Sequence, residues 1–461
     1  MYLDPHTSCS LFSKEYFVWK TLTNFESFRL VFREWKSLID TKRFLQKLFP
    51  SEGLFKDVSA DFFTQAAGSG WFSLCKDIID HLEDKNPLNG ALHSAAEKGH
   101  LEICKLIAEN VDFKNPSDLR GNTPLHLAAA KGHLEVCKFL IGSVPEKNPG
   151  NKRGSTPLDR AVENGHLEIC KLIVERVVID KNPGDICGNT PLHLAAQRGH
   201  TKILQFLFDT TCDENPSNLS GNTPLHFAAE NGHEITVKAI MKYYEINQID
   251  KRNPRNDSGL TPLHLAARNG HYEVCKILFK NIFHINSISL NPGDKDGFTP
   301  LHSAAELGYV EICKLIIDHE RVSDKNPANE AGYTPLHLVA IQGHLDICKL
   351  IIEHGEVSDK NPPNRHNGKT PLHLAASNGK LEICKLIVSC DDVNAEPKDV
   401  NGNTPLHEAA RNGHWEVCKL IARNVDNKNP VNNKGKTPLD LAKDGGNIDI
   451  VQYPVTWIFK E

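Results

Sequence analysis

The tripeptide Thr-Pro-Leu occurs ten times between Thr123 and Leu439, with consecutive copies spaced 33 to 38 residues apart, and histidine follows eight of them. A period of this length is typical of stacked repeat arrays. In such an array, one helix-turn-helix unit buries its apolar face only when a neighbouring unit covers it. The spacing therefore predicts a repeat protein built from pairs of helices.

The unit over residues 115–141 shows how each position shapes the chain. Thr123 is suited to cap the free amides of a first helical turn, and Pro124 to occupy the first helical position, where its missing N–H costs nothing. Gly132 ends this helix. Apolar residues recur at helical spacing from Leu134 onward, which predicts a second helix with one buried stripe. Each unit should hold two short antiparallel helices and a projecting turn.

These residues resemble the ankyrin repeat family. Weaker copies around Phe63 and Leu92, each with an Ala-Ala pair, extend the alignment to residue 61 and bring the expected total to about twelve units. The resemblance implies an all-α ankyrin-repeat solenoid of stacked helix-turn-helix units with projecting β-turns. We expect the array at residues 61–450, preceded by a short helical region at 1–60 and followed by a tail at 451–461.

Two units are longer than the others, because Leu225, Leu263 and Leu301 are each 38 residues apart. The extra residues fall at 243–252 and 282–290, where we predict loops near the turns. Insertions in repeat proteins often collect on the binding face. A longer loop is also tolerated at small entropic cost, so both interpretations are consistent with the sequence.

The charge balance disfavours a nucleic-acid partner. The chain has 53 basic and 58 acidic side chains, a formal net charge of −5, and no basic run. It also has no stretch of about 18 apolar residues for a membrane span, and it does not open with a secretory signal. We therefore expect a cytoplasmic or nuclear protein with no nucleic-acid and no membrane partner.

Nine of the thirteen cysteines recur at one position of the second helix. Leu204 and Val237 hold the same position in two other units, which predicts buried packing there. Equivalent residues of adjacent units are about 10 Å apart, beyond the roughly 7 Å between Cα atoms that a disulfide allows, so we expect reduced thiols. No Cys-x-x-Cys or His-x-x-x-His pair is present, and we expect no metal and no cofactor. Cys187 and Cys212, which we place in turns, are the candidates for a reactive thiol.

Seventeen of the 23 histidines are also periodic; nine follow the leucine of the first helix and eight follow glycine. A catalytic histidine is normally a single residue, whereas recurrence at fixed positions favours structural hydrogen bonding. The family resemblance implies that the Thr-Pro-Leu-His histidines bond to backbone within and between units. Because the sequence has no nucleophile signature and no phosphate-binding loop, we expect no enzymatic activity.

The function that fits is a protein–protein interaction scaffold whose partner binds in the concave groove of the array. The resemblance implies contacts from the turn residues before Thr-Pro and from the two positions after the Ala-Ala pair. The candidate partner-binding residues are Leu260, Phe298, Tyr333, Leu307, Ile341, Arg198, Arg268 and Arg411. We predict that the five apolar members form one exposed patch, with the aromatic residues at turn tips. The alternative is that each covers its neighbour's turn.

Residues 15–22 and 29–39 resemble the two ends of an F-box, a short helical motif whose family docks the Skp adaptor of cullin ubiquitin ligases. The middle is shorter than in that family, Phe32 stands where cysteine is common, and the usual Leu-Pro opening is absent. The adaptor-docking residues would be Leu30, Val31, Trp35, Leu38 and Ile39. The alternative for residues 14–60 is an amphipathic helical cap over the first repeat, which the end of a solenoid requires.

Two functions follow from these interpretations. The first is a non-enzymatic scaffold that binds a protein partner in its groove. The second is a substrate-recruiting F-box-type adaptor of a cullin ubiquitin ligase, with a Skp-type adaptor as a further partner. In neither does the chain itself carry out chemistry, and binding of the Skp adaptor through residues 14–40 separates the two.

Overall fold

The computed structural model describes residues 60–81, 88–111, 115–144, 146–176, 183–210, 215–248, 253–283, 289–447 and 449–450. Within these ranges the chain forms 23 α-helices and no β-strand. The prediction of an all-α fold made of repeated helix-turn-helix units is confirmed.

Eleven helix pairs follow one another along the described chain, and one further first helix comes after them. The helices are α1 (Ala60–Gly68), α2 (Phe72–His81), α3 (Leu88–Lys98), α4 (Leu101–Asn110), α5 (Pro124–Lys131), α6 (Leu134–Ser143), α7 (Pro157–Glu163), α8 (Leu167–Arg176), α9 (Pro191–Arg198), α10 (Thr201–Phe208), α11 (Pro224–Glu230), α12 (Glu234–Ile246), α13 (Pro262–Arg268), α14 (Tyr272–Phe283), α15 (Pro300–Leu307), α16 (Val310–Ile317), α17 (Pro335–Gln342), α18 (Leu345–Ile352), α19 (Pro371–Ser377), α20 (Leu381–Val388), α21 (Pro405–Arg411), α22 (Trp415–Arg423) and α23 (Pro438–Asp444).

The helices belong to two compact units, which divide after Ile186. The first unit contains α1 to α8, and the second contains α9 to α23. In both, first helices pack on the first helices of adjacent repeats, and second helices pack on second helices. Each repeat thus contributes one helix to a row of first helices and one helix to a row of second helices.

The start and the end of each first helix follow from its sequence. In α5, Thr123 is the N-cap, Pro124 occupies the first turn, and the His126 side chain returns to the Thr123 backbone to complete a capping box. Gly132 ends the helix in the left-handed region, with φ of 82°. A Cβ atom at Gly132 would lie 2.6 Å from the ring of His166 in the next repeat, so this position requires glycine for space as well as for conformation.

The core of each repeat comes from short apolar side chains of both helices. In the third repeat, Leu125, Ala128 and Ala129 of the first helix are buried together with Val136, Cys137, Leu140 and Ile141 of the second. The two alanines allow adjacent first helices to approach closely, while the larger side chains fill the space between second helices. The recurring cysteine is therefore a packing residue.

The prediction that residues 243–252 and 282–290 form loops was wrong for their first parts, since α12 continues to Ile246 and α14 continues to Phe283. Tyr244, four residues after buried Ile240, extends the apolar stripe of α12 by another turn. Its hydroxyl donates to Asn215 Oδ1 at 2.5 Å. These tertiary contacts prolong the helix beyond the length found in other repeats.

Candidate protein-interaction surface

The histidines of the Thr-Pro-Leu-His motifs connect the repeat that carries them to the next one. His126 Nδ1 accepts from the Thr123 N–H at 3.0 Å, so its Nε2 carries the proton and donates to the Ser155 carbonyl of the following repeat at 3.0 Å. The same arrangement recurs at His193, His226, His264, His302, His337, His373 and His407. The expected role in backbone bonding within and between units is confirmed.

Burial keeps these rings neutral. It lowers the pKa from 6.5 to about 4 at His126, His226, His264, His302 and His337, against the smaller opposing effect of the carbonyl that each ring binds. Both ring nitrogens are used in holding the backbone. A ring fixed in this way does not serve as a general base at neutral pH.

The histidines that follow glycine connect the repeats in the opposite direction. His133 Nε2 donates to the Glu97 carbonyl of the preceding repeat at 2.9 Å. Equivalent bonds are made by His100, His166, His233, His271, His344 and His414. In the last repeat, Asn447 binds the Ala410 carbonyl with its amide at 3.2 Å and so replaces the histidine.

The recurring cysteines are buried and unreactive. Each of the nine is a free thiol inside the helix stack, and desolvation raises its pKa from 9.0 to about 12. Cys187 is exposed in a hairpin as predicted, whereas Cys212 lies outside the described residues. In the part of the chain that the structure describes, no cluster of His, Cys, Asp or Glu side chains could hold a metal ion.

The turns before each Thr-Pro are hairpins that bond to one another. The N–H of Asp257 donates to the Ser220 carbonyl at 3.0 Å, and that of Lys295 donates to Ser258 at 3.1 Å. The N–H of Glu330 donates to the Asp296 carbonyl at 3.0 Å. Hairpin tips of consecutive repeats therefore form a continuous row.

A second set of bonds joins asparagine side chains of adjacent hairpins. Asn256 Nδ2 donates at 2.9 Å to Oδ1 of Asn222, the residue directly before Thr223. The same side-chain bond joins Asn151 to Asn122, Asn218 to Asn189, and Asn432 to Asn403. Sequence reasoning missed this row, although its signal is visible as an asparagine that recurs directly before Thr-Pro.

Three consecutive repeats have a large apolar side chain in place of the accepting asparagine. Leu260, Phe298 and Tyr333 stand directly before their threonines, where four other repeats have asparagine and the remaining three have serine or lysine. In the next repeat, Asn364 occupies the position of the donor, and its buried Nδ2 has no hydrogen-bond partner. We call Leu260, Phe298 and Tyr333 the apolar column.

The apolar column lies further from the hairpin tips than the sequence predicts. Its side chains are half-buried, and the exposed tips are formed by polar residues such as Asp257 and Glu330. The Phe298 ring meets His302 edge-on at 5.4 Å, and the Tyr333 ring meets His337 at 5.5 Å. Each ring thus covers the histidine of its own repeat and stays partly exposed.

The other predicted contact residues lie at the opposite ends of the first helices. Leu307 is exposed at the end of α15, and Ile341 is half-buried at the end of α17. A helix of eight residues is about 12 Å long, so these two side chains are roughly that far from the apolar column. Arg198, Arg268 and Arg411 are exposed in the last turns of α9, α13 and α21.

The five predicted adaptor-docking residues, Leu30, Val31, Trp35, Leu38 and Ile39, lie outside the described residues. Their role stays a prediction from sequence. Within the described ranges, no helix is both long and apolar enough to span a bilayer.

The helix pairs, the hairpin row and the two sets of histidine bonds define a helical repeat protein in which successive repeats contact one another. A family model for ankyrin repeats in three copies matches residues 63–150, 92–185, 174–250, 248–326, 320–399 and 391–453, which together cover most of the chain. The chain belongs to the ankyrin repeat family. No curated protein matches it.

Proposed function

We propose that this chain is a non-enzymatic scaffold that binds a protein partner on the face formed by its hairpins and first helices. The contact would be centred on the apolar column and extend along the helices to Leu307 and Ile341. Ankyrin repeats are protein-interaction modules, which supports the general statement. The choice of this region rests on the residues that replace the asparagine row.

The interruption of the asparagine row is the observation that carries the proposal. At Tyr333 the absence of the accepting asparagine leaves Asn364 Nδ2, in the donor position of the next repeat, buried without a partner. An unsatisfied buried donor costs about 1–3 kcal/mol. The replacement therefore works against folding, whereas half-exposed aromatic side chains are well suited to anchor a partner.

The recurring histidines and cysteines are already used in the fold. The recurring histidines bond to backbone, and the recurring cysteines are buried with raised pKa values. These observations support a binding role without catalysis. The free thiols are also consistent with the expected cytoplasmic or nuclear location, where thiols stay reduced.

The test is capture of partners by variants that restore the asparagine row. Phe298→Asn and Tyr333→Asn supply the residue found in other repeats, so both should fold at least as stably as the wild type. We expect them to lose the proteins that the wild-type chain captures from cell extract, as read by quantitative mass spectrometry. Val400→Asn changes an exposed apolar residue at another hairpin tip and is the matched control. Equal capture by the wild type and all three variants would contradict the proposal.

The alternative function, an F-box-type adaptor, rests on the sequence of residues 15–22 and 29–39 alone. Its test is binding of purified Skp adaptor to the full chain and to Leu30→Asp. Binding that is lost in the variant would support the adaptor role. No binding by the wild-type chain would leave the scaffold as the function.

A further inference from the structure

A lysine occupies the equivalent position in the repeat that follows the apolar column. Lys369 stands directly before Thr370, at the position that Tyr333 holds one repeat earlier. Its carbonyl accepts from His337 Nε2 at 3.2 Å, as the Tyr333 carbonyl accepts from His302 at 2.9 Å. The side chain of Lys369 therefore follows directly after the three apolar members along the same row.

The lysine is held by a buried carboxylate of the next repeat. Glu408 lies in α21 and is only 3% exposed; its Oε2 is 3.1 Å from Lys369 Nζ and its Oε1 is 3.7 Å from Arg411 Nη1. Six of the other nine first helices that begin with Thr-Pro-Leu have leucine at this position, among them Leu194, Leu265, Leu338 and Leu374. Because a buried ion pair is often no more stable than apolar side chains of similar volume, folding alone does not explain the glutamate.

The arrangement leaves positive charge facing the solvent. One carboxylate is shared by two cations, and the side chain of Glu408 is buried while those of Lys369 and Arg411 are 21% and 43% exposed. Glu408 Oε1 makes no hydrogen bond. The Arg411 guanidinium lies 3.7 Å from this oxygen, and its N–H groups make no hydrogen bond to it. Arg365 and Lys398 add exposed positive charge on the neighbouring hairpins. The exposed acids Asp257, Asp296 and Glu330 belong to the preceding three repeats.

We propose that the partner segment bound on the apolar column carries an aspartate or glutamate directly beyond its apolar anchors, and that Lys369 and Arg411 bind this carboxylate. The inference rests on the proposed function. Glu408 holds the two cations in place before binding, which lowers the entropy lost when the contact forms. A carboxylate between an ammonium and a guanidinium makes charge-assisted hydrogen bonds. The acid would also fix the direction of the bound segment along the face.

The probe is a random linear peptide library displayed on phage and panned against the full chain. We expect the selected peptides to combine apolar anchors with an acidic residue at a constant spacing. A synthetic copy of one such peptide should bind about tenfold more tightly than its copy with the acid replaced by Asn or Gln, measured by fluorescence anisotropy. The advantage should shrink at high salt.

The decisive variant replaces the charged cluster with residues from equivalent positions of other repeats. Lys369→Asn, Glu408→Leu and Arg411→Gln together copy Asn222, Leu374 and Gln197, so no buried charge is left unpaired. We expect this triple variant to stay folded and to bind the acidic peptide and its amide copy equally well. Lys314→Asn, which removes a charge from the second helix α16, is the matched control and should keep the acidic preference.

The outcomes separate this inference from the function on which it rests. Selected peptides without an acid, or an acidic preference that persists in the triple variant, overturn the inference but leave the scaffold in place if binding still depends on Phe298. Peptide binding that is unchanged in Phe298→Asn and Tyr333→Asn overturns the proposed site and the inference together. An enrichment of basic residues at the constant position would also overturn the inference.

Discussion

Asn256 Nδ2 donates to Asn222 Oδ1 at 2.9 Å and so joins the hairpins of two consecutive repeats through their side chains. The Asn256 Oδ1 atom accepts two backbone N–H groups of its own hairpin, from Ser258 at 3.0 Å and from Leu260 at 2.9 Å. One amide therefore shapes its own turn and fixes the neighbouring turn. Where the accepting asparagine is absent, the hairpins keep their backbone bonds and lose this side-chain bond.

Tyr333→Asn should raise the stability of the array. The new Oδ1 would accept from Asn364 Nδ2, which is buried without a partner in the native chain. We expect a gain of about 1 kcal/mol in the free energy of unfolding, measured by urea denaturation followed by circular dichroism. Asn222→Leu makes the reverse change and should lose about the same amount. A destabilised Tyr333→Asn would show that the tyrosine ring contributes more to folding than the missing hydrogen bond.

The stability of the array should decrease on acidification between about pH 6.5 and pH 4. The pKa of five buried histidines is about 4 in the folded chain, against 6.5 for the free side chain. In this window the unfolded chain binds more protons than the folded chain, so protonation favours unfolding. Urea titrations at a series of pH values measure the effect. Replacing His302 with Gln should reduce the slope, and a slope unchanged in the variant would contradict the assignment.

Asp159 should have the opposite pH dependence. It replaces the motif histidine, and burial raises its pKa from 3.8 to about 7, although two bonds from Thr156 oppose the rise. The folded chain therefore binds more protons than the unfolded chain between about pH 4 and pH 7, and stability falls as the pH rises through this window. Asp159→Asn removes the charge while the new side-chain oxygen can still accept from Thr156. We expect the variant to be more stable than the wild type at pH 8 and similar to it at pH 4, by thermal unfolding.

Leu225→Ala should destabilise the array by about 2–5 kcal/mol, because it opens a cavity among side chains that are fully buried. The measurement is the shift of the urea midpoint at constant slope. Leu219→Ala is the control, since Leu219 is exposed at a hairpin tip of the same repeat and should change stability little. A similar loss in both variants would indicate that the hairpin tip packs more firmly than its exposure suggests.

The repeating part of the fold could be predicted from sequence because each signal acts locally and recurs. Thr123, Pro124 and Gly132 set the ends of a helix through their own backbone preferences. The position shared by Cys137 and Leu204 is buried in every copy that the structure describes, as the apolar stripe predicts. The extension of α12 through Tyr244 was not predicted, since it depends on the contact with Asn215 in another part of the repeat.

The sequence by itself determined the repeat, its helix ends, its buried stripe and its resemblance to the ankyrin repeat family, because those depend on residue type and spacing. Only the tertiary structure decided which side chains meet across repeats. The asparagine row and the ion pair between Lys369 and Glu408 join residues that are distant in sequence, and the unpaired Nδ2 of Asn364 lies where such a bond is missing. These contacts depend on how one repeat packs on the next. The spacing of residues along the chain does not specify that packing.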